Sequence, residues 1–416
     1  MLDIRETPDA VGNETTPRAR GGRGKSGRRP ADAERQGRTR GLRIECHFGK
    51  PGVSPFDEIE WERRKASITD DKGTVIFVQD DVEVPKSWSM LATNVVASKY
   101  FYGPLGSEKR ENSVRQLVHR VVRTITDWGL SAGYFETPED AENYYHDLAY
   151  LCLNQYGSFN SPVWFNVGLF HVYGLTSASR TSYCWDETEQ RIVPTNNCYR
   201  HPQASACFIQ SVEDTMEDIM RLAASEAMLF KYGSGTGTDL STLRSTREKL
   251  SGGGTPSGPL SFMRVYDQVA AVVKSGGKTR RAAKMQSLKI THPDILDFIE
   301  CKMREEKKAW ALIEQGYDGS FGGEAYNSVM FQNANLSVRL TDEFMQAVEN
   351  DGPWQTKAVL TGETVDTYRA RDLMRKIAES TWVCGDPGVQ FDSTINRWNT
   401  CQASGRINAS NPCSEF

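Results

Sequence analysis

The chain of 416 residues has no uninterrupted apolar stretch near the roughly 20 residues that a membrane span requires, which excludes a transmembrane reading. It also lacks the basic patch and apolar core of a secretory leader, since Asp3, Glu6 and Asp9 stand in its first residues. A cytoplasmic protein is expected. Histidine is scarce: the six residues His47, His119, His146, His171, His201 and His292 are scattered and form no HExxH or His/carboxylate cluster. No protein-ligated metal is expected from them. GxSxG and kinase signatures are missing too. The nine cysteines form no CxxC pair, and their irregular spacing fits neither a zinc ribbon nor a secreted disulfide framework. Reduced or redox-active thiols in a reducing compartment fit better.

Charge of one sign is not in excess overall: 50 Lys and Arg stand against 54 Asp and Glu, for a net charge of −4. The balance conceals an asymmetry, because residues 17–43 hold ten basic and two acidic side chains and the remainder is acidic. An acidic body argues against a broad basic face for a nucleic-acid duplex. Residues 15–41 are rich in Gly, Arg and Pro without apolar periodicity, so residues 1–43 are read as a disordered basic arm. Such an arm is either a solvated tail or a weak contact for a polyanion.

Order is expected to begin near Leu42, with residues 44–155 a mostly helical N-terminal region. Residues 74–84 read as strand and 87–100 as helix. Val114, Leu117, Val118, Val121, Ile125 and Trp128 recur at helical steps, and Thr137 before Pro138 marks the start of a helix over 138–155. Beyond Tyr156, short apolar strands, glycine-rich loops and helices alternate, the pattern of an α/β domain over 156–416. Helices are expected at 214–231, 260–274, 294–307, 342–350 and 368–382. Thr341, and Thr291 ahead of Pro293, are read as helix starts.

Three glycine-rich loops lie at 233–238, 251–258 and 274–281. Gly277-Lys278-Thr279 suggests a P-loop, but Val272 stands where its first glycine belongs, and 233–238 lacks GxGxxG spacing. Phosphate binding and plain tight turns both remain open for these loops. Cys207 and Cys152 sit in apolar runs and read as small buried hydrophobes. Cys413 differs, because Asn411 and Glu415 flank it at two-residue steps. In an extended segment the thiol, amide and carboxylate would project from one face, whereas Asn-Pro is also a turn signal.

Seven segments carry a family resemblance. They are Asn160-Ser-Pro-Val-Trp-Phe-Asn-Val-Gly168, Ala206-Cys-Phe-Ile-Gln-Ser-Val-Glu-Asp214, Phe230-Lys-Tyr-Gly-Ser-Gly-Thr-Gly237, Lys249-Leu-Ser-Gly-Gly-Gly254, 274–284, Gly385-Asp-Pro-Gly-Val-Gln-Phe391 and Arg406-Ile-Asn-Ala-Ser-Asn-Pro-Cys-Ser-Glu415. From about residue 44 the chain resembles the first half of the large chain of adenosylcobalamin (vitamin B12)-dependent, class II ribonucleotide reductases. The resemblance implies the first half of a ten-stranded α/β barrel with a finger loop through its centre. It implies a cobalamin-generated thiyl radical on Cys413 that takes the 3′ hydrogen of a ribonucleotide. Glu415 then matches the base on the 3′ hydroxyl, Asn411 its hydrogen-bonding partner, and Cys207 one of two reducing thiols that end as a disulfide.

Further roles follow from the same resemblance. Ser161, Pro162, Ser205 and Ala206 match contacts to a ribonucleoside di- or triphosphate substrate. Asp214, Arg244, Gly252, Gly253, Gly276, Gly277, Lys278, Arg280 and Arg281 match contacts or loops for a deoxynucleotide effector. A thioredoxin-like reductant, a second copy of the chain and a C-terminal half are the implied partners. Since the family's finger loop lies mid-barrel and the chain stops at Phe416, the expectation is that the chain alone is insoluble or inactive, with unpaired strand edges. A class I large subunit and a noncatalytic nucleotide-binding fragment are the alternatives.

Overall fold

A hairpin comes first: β1 (Trp61–Thr69) pairs antiparallel with β2 (Val75–Pro85) and buries Ala66, Val82 and Val84. A computed structural model of the chain describes residues 41–50, 52–69, 73–176, 182–250, 252–273, 282–320 and 322–414. The expected basic arm lies, up to residue 40, outside the described residues. After the hairpin come α1 (Met90–Val95), a π-helical turn at Val96–Tyr100, α2 (Val114–Ser131), α3 (Pro138–Leu153), α4 (Ser161–Asn166) and α5 (Leu169–Tyr173). A second hairpin, β3 (Ser182–Asp186) and β4 (Arg191–Thr195), closes this part.

The expectation of a mostly helical start needs correction, because a long hairpin precedes the helices. β1 was illegible because a register shift between Arg64 and Ala66 breaks its period of two. The helices follow the sequence closely. Thr137 caps α3 in a reciprocal box: Asp140 N–H donates to Thr137 Oγ1 at 3.2 Å and Thr137 N–H to Asp140 Oδ2 at 2.9 Å. α2 buries Val114, Leu117, Val118 and Val121 against the hairpin, α3 and α4, whereas Trp128 stays at the surface beside His171. Arg120 of α2 is fully buried; it meets Glu111 at 2.8 Å and donates to the carbonyl oxygens of Trp164 (3.2 Å) and Val167. That pairing fixes α4 against α2.

The second part is a parallel sheet with helices on one face. Its order in the chain is β5 (Cys207–Gln210), α6 (Met216–Lys231), β6 (Gly235–Asp239), α7 (Gly258–Val272), β7 (Lys284–Lys289), α8 (Ile295–Glu314), α9 (Glu324–Asn327) and β8 (Ala334–Leu340). α10 (Asp342–Glu349), the hairpin of β9 (Pro353–Lys357) and β10 (Thr364–Arg369), α11 (Ala370–Cys384), β11 (Gly388–Phe391) and α12 (Asp392–Trp398) follow. The strands lie in the order β11-β8-β7-β6-β5, all parallel, so each neighbours the strand before it in the series. Successive crossovers of one hand wind such a sheet in a single direction, with helices on the outer face. Five strands are formed, and β5 and β11 are its edges among the described residues.

The five helices expected in this part are α6, α7, α8, α10 and α11, each starting within two residues of its expected position. Thr341 caps α10, its Oγ1 accepting from Phe344 N–H at 3.3 Å. Thr291 does not start α8, because His292 and Pro293 form a preceding turn and Asp294 takes the N-cap position. The Gly233–Thr238 loop is a further correction: from Gly235 it is the buried strand β6.

The sheet's two faces differ in chemistry. Leu288, Leu336, Val338 and Leu340 point outward into the main apolar core with Ile219, Tyr266, Phe298 and Phe344. Lys284 shares that outer face and is fully buried; it pairs with the equally buried Glu226 of α6 and sits 4.9 Å from the Tyr266 ring. Burial pushes the Glu226 carboxyl up and the Lys284 ammonium down, each against the pull of its partner. Replacing Lys284 with methionine strands that carboxyl, at a cost of about 3–5 kcal/mol when it must stay charged. A carboxyl whose folded pKa is raised binds its proton more tightly folded than unfolded. The variant's stability should therefore fall as pH rises above the ordinary carboxylate range, so denaturant titrations at pH 5 and pH 8 should show the larger deficit at pH 8. Equal deficits would contradict the account.

Candidate active site

Side chains alternate along each strand, so the sheet's other face carries Cys207, Gly235, Gly237, Asp239, Ser287, Asn335, Ser337, Arg339 and Gln390. Apart from Ile209 and Met285 this face is small or polar, and a single segment of chain, 407–413, lies across it. Two glycines of β6 make room for that segment. A Cβ on Gly237 would stand 1.8 Å from the carbonyl oxygen of Ser410, and one on Gly235 would stand 2.9 Å from Pro412 Cγ and 3.2 Å from Cys207 Sγ. The thiol of Cys207 and the ring of Pro412 thus flank one point of the sheet.

Side chains from two elements, β8 and α12, pin the segment. Asn335 Nδ2 donates to the Pro412 carbonyl at 3.1 Å, and Arg339 donates to the Ile407 carbonyl at 2.9 Å. Asn396 holds Ile407 at both backbone groups, accepting from its N–H at 2.9 Å and donating to its carbonyl at 3.1 Å. Arg339 is 1% exposed; it also meets Asp392 at 2.8 Å and Gln390 Oε1 at 3.0 Å, so the buried charge is paired and hydrogen-bonded. None of Asn335, Arg339, Asp392 and Asn396 was singled out from the sequence. Arg339 carried a signal, a lone charge inside the otherwise apolar-and-small strand ANLSVRL.

The segment ends in a turn. Ser414 N–H donates to the Asn411 carbonyl at 3.0 Å, and Ser414 has φ +59°. Asn411 is completely buried and Cys413 exposed, so the two do not project from one face as an extended segment would require. Pro412 seated on Gly235 and the Asn411–Ser414 bond close the chain into the turn that Asn-Pro signals. Glu415 lies outside the described residues.

The expected substrate residues fall beside this turn and one helix away. Ala206 accepts from Gly235 N–H at 2.6 Å, and the Ser205 carbonyl accepts from Ser234 Oγ at 2.7 Å. Asn166 of α4 donates to the Gln203 carbonyl at 2.9 Å, which ties the helix bearing Ser161 and Pro162 to the strand entry. Ser161 Oγ lies 3.0 Å from the Tyr100 hydroxyl, and Pro162 is buried. At the far end of β6 burial raises the Asp239 carboxyl above its usual range, against hydrogen bonds from Ser241 and Ser287.

A separate cavity of about 270 Å³ collects Asp214 and Arg244, which form an ion pair, with Thr255, Pro256 and Ser257. The turn presenting Arg244 is braced by the buried Asp294, which accepts from Ser245 Oγ at 2.6 Å and Thr246 N–H at 3.0 Å. Gly252 and Gly253 do not line this cavity; they form the exposed tip of the adjoining loop, with Gly253 at φ +85°. Gly276, Gly277, Lys278, Arg280 and Arg281 lie outside the described residues.

The site is thus a five-stranded, singly wound parallel sheet with Cys207 on its first strand and the segment 407–413 lying on one face. Residues 205–416 match the family model "Ribonucleotide reductase, barrel domain", and residues 62–103 and 105–155 match "Class II vitamin B12-dependent ribonucleotide reductase". The chain belongs to the ribonucleotide reductase family, in its vitamin B12-dependent class II branch. It is 63% identical over 380 residues to the vitamin B12-dependent ribonucleotide reductase of Rhodopirellula baltica, covering 90% of this chain and 36% of that protein. It is 49% identical over 379 residues to the same-named protein of Streptomyces clavuligerus, covering 91% and 36%. With the Agrobacterium fabrum protein identity is 36% over 479 residues, covering 90% and 38%. The chain thus spans little more than a third of its relatives' length, less than the half expected from the sequence. The class II match at the N-terminal part weighs against the class I alternative.

Proposed function

We propose that the chain carries the radical-bearing turn and the nucleotide-contacting segments of an enzyme that reduces ribonucleotides to 2′-deoxyribonucleotides. The observation that carries this reading is the Ser410–Cys413 turn, locked onto a two-glycine strand beside Cys207 while the Cys413 thiol stays exposed. In this reading the five strands are part of a ten-stranded barrel, and the basic arm 1–43, the N-terminal region 44–155 and the barrel domain 156–416 are its divisions.

Adenosylcobalamin, when bound, supplies the one-electron oxidising equivalent that the protein itself lacks. The residues fit such a group: Cys413 is exposed on a backbone held from beneath by Asn335 and Gly235, so a large planar cofactor can approach its sulfur. Cys413, as a thiyl, takes the 3′ hydrogen atom and becomes a thiol. Glu415 takes the proton of the 3′ hydroxyl, and Asn411 supports the same group. The 2′ hydroxyl leaves as water with a proton from one thiol, C2′ receives the hydrogen of the other, Glu415 returns its proton to the 3′ oxygen, and Cys207 with a second cysteine, having given up two electrons and two protons, ends as a disulfide. Cys413 then returns its hydrogen atom to C3′, and a thioredoxin-like dithiol reduces the disulfide.

Ser161, Pro162, Ser205 and Ala206 are assigned to a di- or triphosphate substrate. Asp214 and Arg244, with the loops at 252–257 and 276–282, are assigned to a deoxynucleotide effector. A homodimer in the cytoplasm is the expected setting; no helix among the described residues is long and apolar enough to cross a membrane. The intact protein that carries these residues should form deoxynucleotides only with adenosylcobalamin and a dithiol present. Product formation that needs a second, radical-supplying protein and ignores adenosylcobalamin would overturn this reading in favour of class I chemistry.

A further inference from the structure

A cavity of about 400 Å³ in the N-terminal part has no role in the chemistry above. Its floor is apolar and buried, formed by Leu117, Val118, Cys152 and Trp164, and its wall is completed by Trp88 and Tyr100. No charged residue lines it. The indole N–H groups are already spent, Trp88 on the Leu153 carbonyl at 2.8 Å and Trp164 on Ser158 Oγ at 3.2 Å, so both rings offer only faces and edges. Burial raises the Cys152 thiol to about 11, which keeps it neutral and unreactive in the wall.

Two backbone irregularities converge on the same cavity. One wall is the π-helical turn Val96–Tyr100, closed by Phe101 N–H on the Val96 carbonyl at 3.2 Å, and such turns recur at functional sites. At the rim, Gln155 holds φ +59° just past the end of α3, a position where glycine is the unstrained choice. The side-chain amide of Gln155 has no hydrogen-bond partner among the described residues and stands exposed at the mouth. Tyr100 also bonds Ser161, so the cavity adjoins the helix assigned to substrate.

We infer that this cavity is a binding site for a flat, uncharged bicyclic heteroaromatic ring, stacked among Trp88, Tyr100 and Trp164 with its polar edge on the Gln155 amide. The volume lies within the roughly 300–1,000 Å³ of small-molecule sites, and the absence of charge from the lining excludes a phosphate from its interior. An amide both donates and accepts, which suits the alternating ring nitrogens of a purine or a benzimidazole. The ring has two sources, the base of a nucleoside or the base on the tail of the cobalamin; the second source rests on the proposed function, the first does not.

Tryptophan fluorescence of the intact protein, titrated with adenosine in one arm and 5,6-dimethylbenzimidazole in the other, tests this. Saturable quenching by at least one is expected, and the arm that saturates names the source. Gln155→Gly should weaken that binding by about fivefold, the worth of one hydrogen bond, without lowering Tm because the left-handed backbone then carries no side chain. Ala92→Phe, filling the cavity, should remove the quenching. Absence of saturable quenching in both arms would overturn the site. Unchanged affinity in Gln155→Gly would overturn the placement of the ring's edge.

Discussion

Replacing Cys413 with alanine is expected to remove ribonucleotide reduction altogether, a loss of at least roughly 10³-fold, because in the proposed mechanism the hydrogen-atom transfer has no other carrier. The fold should not suffer. Cys413 is exposed, and the turn is held by the Asn335 bond to Pro412 and by the Ser414 bond to Asn411, neither of which uses the thiol. The comparison to make is turnover against deoxynucleotide binding at the Asp214–Arg244 cavity, in wild type and variant. Turnover vanishing while binding persists supports the thiyl role. Appreciable turnover in the variant would remove it.

The second large effect comes from one methyl group. Gly237→Ala places a Cβ 1.8 Å from the Ser410 oxygen, deep inside van der Waals contact with backbone, and no rotamer change relieves it. Either the sheet shifts, at an overpacking cost of about 1–3 kcal/mol or more, or the segment lifts off. Since the segment is held by a few hydrogen bonds and the sheet by a buried core, lifting is the expected outcome. Limited proteolysis should then cut within 407–414 in the variant and spare wild type, with turnover lost as in Cys413→Ala. An unchanged cleavage pattern with normal turnover would show that the segment does not depend on this contact.

These two positions also show what was legible beforehand. The helices were readable because their signals are local: the Thr137–Asp140 box and the period of Val114, Leu117, Val118 and Val121 need no tertiary knowledge. β6 reads as a loop in the sequence because the property that makes Gly-Ser-Gly-Thr-Gly look like one, the absence of side chains, is what lets a second segment lie on the strand. The hairpins β3–β4 and β9–β10 were passed over as short stretches amid polar residues. The roles proposed for the cysteines come from resemblance, whereas spacing alone leaves an extended segment and an Asn-Pro turn both open, and the backbone is the turn. The anchors Asn335, Arg339 and Asn396 act across more than ten residues of separation, and only the fold brings them to residues 407–412.

The central claim is that Cys413, which follows the Pro412 seated on Gly235 next to the Cys207 thiol, removes the 3′ hydrogen of a ribonucleotide. The most direct measurement is turnover of the intact protein on substrate carrying deuterium at C3′, with adenosylcobalamin and dithiol saturating. The account predicts slower turnover with the deuterated substrate, deuterium retained at C3′ in the deoxynucleotide product, and no product at all from Cys413→Ala. Equal rates for both substrates together with product from the variant would contradict it.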